Sequence, residues 1–193
     1  MTEQPPEPSQ PPQMSLTGML LLQGGIVLLA LVLDMAFGLR MLDGLTFSLS
    51  ALNWGIAATI PLLLGVWLLG SMRWAWVAEL QQFMLEIIVP LFRKTPAGAL
   101  FAVALLAGVG EELLFRGVVQ GGLEGIVGSG MALLLASLFF GAMHALSRAY
   151  FLVATAMGFY LGWLYLATGN LLIPIVVHFL YDWIVLRYYL KGR

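Results

Sequence analysis

Apolar residues in this chain come in runs of about 20, the length that carries an α-helix across the hydrocarbon core of a bilayer. The runs fall near 16–37, 50–70, 97–120, 128–147, 149–168 and 171–190 and predict an all-α, polytopic membrane protein of about six transmembrane helices. Between the second and third lies SMRWAWVAELQQFMLEIIVPLFRK, residues 71–94. Its apolar positions 76, 77, 80, 83, 84, 87, 88 and 91 recur at helical spacing, with Glu79, Gln82 and Glu86 on the other side. That pattern predicts an amphipathic helix lying at the interface, or, counted as a span, a seventh crossing. Residues 1–15, MTEQPPEPSQPPQMS, are too polar and proline-rich to bury a core and predict a disordered tail. The chain thus divides into that tail, membrane helices and the interfacial helix over 16–96, and a second membrane core over 97–193.

Composition sharpens the membrane assignment. The 193 residues are 61% hydrophobic and 10% charged, with a mean hydropathy of +0.94; a soluble domain is nearer half apolar and a quarter charged. A net charge of -1 leaves no basic footprint, so nucleic acid is excluded as a partner. With no cysteine, a disulfide framework, a thiolate metal site and a cysteine nucleophile are excluded too. No Lys or Arg precedes Arg40, so the first apolar run is expected to be a retained span rather than a secretory signal.

The nine basic residues are Arg40, Arg73, Arg93, Lys94, Arg116, Arg148, Arg187, Lys191 and Arg193. With six spans, all but Arg40 and Arg116 share one face; with seven, all but Arg73 and Arg116. Either count makes the face carrying Arg93, Lys94, Arg148 and the C-terminus cytoplasmic by the positive-inside rule. The expected location is the plasma (inner) membrane.

Against this background the stretch LAGVGEELLFRGVV, residues 106–119, stands out. A charge at the bilayer centre costs roughly 2.5–3.5 kcal/mol on insertion scales, and here three occur within six positions. Glu112 and Arg116 are i and i+4 on one helix face and can neutralise each other. Glu111 points about 100° away and is the acid left over. The only two histidines also lie in apolar segments, His144 four residues after Phe140 and His178 four residues before Asp182. Imidazole suits proton transfer or metal ligation near neutral pH. Asp34 and Asn170 read as helix-end residues, and Ser137 and Ser147 have no base at a readable spacing.

Taken in order, EExxxR at 111–116, FxxxH at 140–144 and HxxxD at 178–182 resemble the CPBP family of intramembrane proteases, the type II CAAX prenyl endopeptidase or Abi group with its bacteriocin-processing relatives. The resemblance covers about residues 97–186, including the TGNLLIPIVVH run. It implies an endopeptidase acting on a membrane-associated peptide or protein, with the site opening to the cytoplasm. In that pattern Glu111 and His144 activate a water, Glu112 and Arg116 support them, His178 and Asp182 orient the site or stabilise the oxyanion, and Phe140 walls the pocket. Many relatives carry Asn where this chain has Asp182; a carboxylate donates a hydrogen bond only when protonated. The resemblance leaves two chemistries open. Glu111, His144 and His178 could make a catalytic zinc site with one open position, or a glutamate could activate the water without metal. Read from residue types alone, a non-catalytic membrane adaptor and a proton- or ion-coupled carrier are the rival functions.

Spacing also sets a geometric condition. A tight hairpin turning near residue 123 would put Glu111 opposite residue 135 and leave His144 about 13 Å away at 1.5 Å per residue. The glycines at 117, 121, 122, 125, 128 and 130 predict an irregular connection that closes this gap.

Overall fold

The computed structural model describes residues 14–191; most of the proline-rich tail expected over 1–15 therefore lies outside the described residues. These residues form seven helices joined by short connections. Helix α1 is Leu16–Phe37 and α2 is Leu49–Ser71, separated by a single 3-10 turn, Met41–Gly44. Helix α3, Ala75–Phe92, contains a π turn at Met84–Ile88. Helix α4, Ala97–Val127, contains a π segment at Leu113–Gln120. Helices α5, α6 and α7 are Ser129–Met143, Arg148–Thr168 and Leu172–Lys191.

Polar residues in the connections start and hold these helices. Ser15, Ser48 and Ser147 cap α1, α2 and α6 by accepting from the N–H three residues on. Asn170 caps α7 through Leu172 N and also pairs with both backbone groups of Thr46. Asp34 turns the chain after α1 by accepting from Met41 N at 2.7 Å. Helix ends are thus where the expected cap residues sit.

Helix α4 is the interior helix: 56% of its most apolar window is buried, against 11% for α1 and α2. One core cluster joins it to α1, the 3-10 turn and α7 through Ala30, Met41, Leu113, Val118, Leu171 and Ile175. Another joins it to α5 and α6 through Phe115, Phe140 and Ala154. The outward faces of α1 and α2 expose Leu21, Leu28, Met35, Trp54 and Trp67, which is the pattern of a lipid-facing surface rather than of a water-soluble one.

Contacts fix the course of the chain. Helices α1 and α4 run side by side in one direction: Thr95 meets Met19, Gly110 meets Val27, and Gly122 meets Leu39 beyond the end of α1. At the far end, Leu171 N donates to Gly44 O at 2.7 Å, tying α7 to the 3-10 turn. The start of α1, the end of α2, the first half of α4 and the second half of α7 all line one cavity at the near end. Helix α3 joins Ser71 to Ala97, both at that near end, and lines the same cavity from Val77 to Phe92. By length and apolarity α3 would pass as a span and the 15-residue α5 would not. The contacts instead lay α3 across the mouth of the cavity, as its amphipathic pattern predicts. The bundle then has six traverses, with Arg40 at the far end and Arg73, Arg93, Lys94, Arg148, Arg187 and Lys191 at or toward the near end.

The connection between α4 and α5 differs from the expected hairpin at residue 123. Helix α4 continues through Gly121, Gly122 and Gly125, and the chain reverses at Gly128, whose φ of +80° an L-residue rarely adopts. Glu111 is 17 residues before that pivot and His144 is 16 after it. The two arms nearly match in length, so the gap closes because the chain reverses at Gly128, one of the expected glycines, rather than near residue 123.

Candidate active site

Glu111 and Glu112 end the α-helical part of α4, just before its π segment. A π turn is wider than an α turn and is a common local deformation at functional sites. Glu112 is fully buried and its Oε1 accepts from Arg116 Nη1 at 2.9 Å, the expected i, i+4 pair. Arg116 also donates through Nη2 to Gly158 O of α6 at 2.7 Å, and its guanidinium lies 4.9 Å from the centre of the Phe140 ring. The same Glu112 Oε1 accepts from His178 Nδ1 of α7 at 2.7 Å. Glu112 thus ties α4 to α7, and its partner Arg116 ties α4 to α6.

Glu111 turns to the other side and faces both imidazoles. Its Oε2 lies 3.6 Å from His144 Nε2 and 3.9 Å from His178 Nε2. It is buried and makes no hydrogen bond. His178 Nε2 is also 3.5 Å from Asp182 Oδ2. His144 does not continue the helix. It caps α5 in a non-helical conformation, φ -105° and ψ 12°, and its Nδ1 donates to Phe140 O at 2.8 Å. In the neutral ring that bond fixes the proton on Nδ1 and leaves the Nε2 lone pair aimed at Glu111. Two acceptors 3.6 Å apart are too far for a direct bond and suitably spaced for one water donating to both.

All six polar residues read from the sequence, Glu111, Glu112, Arg116, His144, His178 and Asp182, therefore meet in one place. Side-chain exposure rises from 0% at Glu112 and 4% at His178 to 11% at Glu111, 25% at His144 and 30% at Asp182. The cluster opens through Glu111, His144 and Asp182 into the near-end cavity, about 300 Å³ with otherwise mainly apolar walls. Phe140 corrects the expectation that it walls this pocket: it is buried behind the site, its ring 4.5 Å from His144 and 5.9 Å from His178. Its role is to support both imidazoles and the Arg116 cation. Two features escaped the sequence. Tyr150, one turn into α6, lines the cavity and packs edge-on to His144, centroids 6.0 Å apart. Gly108 lets α4 and α7 close on each other, since a Cβ there would lie 2.9 Å from Phe179 N.

The donor types at the opening, two imidazoles and a carboxylate, are those of a zinc site. Among the described residues, however, no three His, Asp or Glu side chains are grouped so that they could hold a metal ion. Glu111, His144 and His178 do not fit the group as they stand, and zinc enters no step below.

Fold and site together define a polytopic, all-helical membrane protein with a carboxylate–imidazole centre buried at the end of a cavity. Its segment 93–184 matches the model of the type II CAAX prenyl endopeptidase Rce1-like family. Among curated proteins the chain is similar to the uncharacterized protein YpbD of Bacillus subtilis (strain 168), 38% identical over 95 residues. The match covers 48% of this chain and 46% of YpbD, so it spans about half the length of that relative. No solved structure matches the chain.

Proposed function

We propose that this protein is an intramembrane endopeptidase that cuts a membrane-associated peptide or protein with a water activated by Glu111 and His144. The observation that carries this reading is the orphaned Glu111 Oε2, 3.6 Å from an imidazole nitrogen whose lone pair faces it. A water held there gives a proton to Glu111 as its oxygen attacks the scissile carbonyl, whose π pair moves onto the carbonyl oxygen. Collapse of that oxyanion breaks the C–N bond, and Glu111 returns the proton to the leaving nitrogen. Microscopic economy of this kind suits a site with no cysteine or paired serine. Glu112, Arg116 and Phe140 hold the two imidazoles, while His178 and Asp182 flank the reacting carbonyl. The apolar cavity walls suit an apolar substrate segment. The basic residues at the near end support a cavity facing the cytoplasm.

The test compares peptide termini in membranes from cells carrying the wild type or Glu111→Gln. The variant should keep its detergent melting temperature and lose the wild-type cleavage products, since a positioned base contributes about 10²–10⁴ in rate. Identical termini in both samples would reject the protease. Retained partner binding with no cleavage by the wild type would then favour an adaptor, and lost flux in liposomes a carrier. Elemental analysis of the purified wild type for zinc, at one equivalent or none, decides the metal separately.

A further inference from the structure

Hydrolysis as proposed above leaves one charge unaccounted for: the oxyanion that forms on the substrate carbonyl needs hydrogen-bond donors aimed at it. Most donors in the cluster are already committed. Arg116 is spent on Glu112 and on Gly158 O. His144 Nδ1 is spent on Phe140 O, and His178 Nδ1 on Glu112. Asp182 is an acceptor when ionised. His178 Nε2, flanked by two carboxylates, donates only when the ring carries both protons, and the cavity wall adds the phenols of Tyr150 and Tyr181 and the amides of Gln23 and Gln81.

We infer that the Tyr150 hydroxyl is an oxyanion donor of this site, acting across the reacting carbonyl from His178. Tyr150 lines the cavity beside Glu111, His144 and Asp182. Its ring is held on two sides, by Phe83 of α3 at 5.2 Å and by His144 at 6.0 Å between centroids. Its backbone is fixed as well, because Tyr150 N donates to the Ser147 cap at 3.1 Å. The phenol lies within electrostatic reach of Asp182 and Glu111. Tyr181 lines the same cavity beside Asp182, but it is Tyr150 whose ring packs against His144. A rigid ring with a donor at its tip, lining the same cavity as the base, is a preorganised arrangement that needs no proton transfer of its own: the O–H stays intact and donates a hydrogen bond to the developing negative oxygen.

This inference rests on the endopeptidase reading, and the experiment separates the two. Cleavage products are followed over time after induction in membranes carrying the wild type, Tyr150→Phe, Tyr150→Ala or Glu111→Gln, with melting temperature measured on each purified protein. Tyr150→Phe keeps the ring packing and should melt like the wild type, yet form product about 10²–10³-fold more slowly. Tyr150→Ala should be at least as slow and melt lower. If Tyr150→Phe cuts at the wild-type rate while Glu111→Gln is silent, the hydroxyl has no such role and the ring is only a packing element. If Glu111→Gln still cuts, the endopeptidase reading falls, and the donor assignment with it.

Discussion

A single buried oxygen, Glu112 Oε1, takes a hydrogen bond from Arg116 and another from His178. Burying an ion pair is costly, and removing one partner is worse because the other charge stays behind in an apolar setting. Arg116→Met should therefore lower stability by about 3–5 kcal/mol, read as a drop in melting temperature in detergent, and the double variant with Glu112→Gln should recover part of that loss. The i, i+4 half of this cluster was legible, because helix geometry alone makes Glu112 and Arg116 meet. The bond from His178 to Glu112 was not. Spacing within α7 pointed His178 at Asp182, which it does approach, but the shorter contact comes from another helix 66 residues away. Tyr150 stayed hidden for the same reason: nothing in local spacing tells a tyrosine near a helix start whether it faces lipid or a catalytic imidazole.

At the scale of helices, apolar runs located the elements well, since the bilayer demands a minimum length and tolerates few charges. They were weaker at the ends. The run at 128–147 holds a helix that stops at Met143, leaving His144 as its cap. The glycines of α4 looked like weak points of the backbone. Glycines here are also contact points: at Gly108 of α4 a side chain would strike the backbone of α7, and at Gly162 of α6 it would strike Gln120 and Leu133. Gly108→Val should push α7 outward and separate His178 from Glu112. The expected readout is lost cleavage together with a lower melting temperature, whereas Gly98→Val, where a Cβ would meet nothing within 4 Å, should leave both unchanged.

For the molecule as a whole, charge counting narrowed the topology to two solutions, and the lie of α3 selects one. An absence of native cysteine makes this directly measurable. Cysteines introduced singly at Arg73 and Lys94 should react with a membrane-impermeant thiol reagent from the same side, and one at Arg40 from the opposite side; a spanning α3 would instead place Lys94 with Arg40, opposite Arg73. The reversal at Gly128 acts on this same scale, through its two nearly equal arms. One residue added to or deleted from either arm would turn the far part of that arm by about 100° and slide it 1.5 Å, so the acid on α4 and the imidazole after α5 would no longer face each other. A paired change, one residue in each arm, would restore the level of the two groups but leave both turned away, and so the stretch from 111 to 144 has little freedom to drift in length.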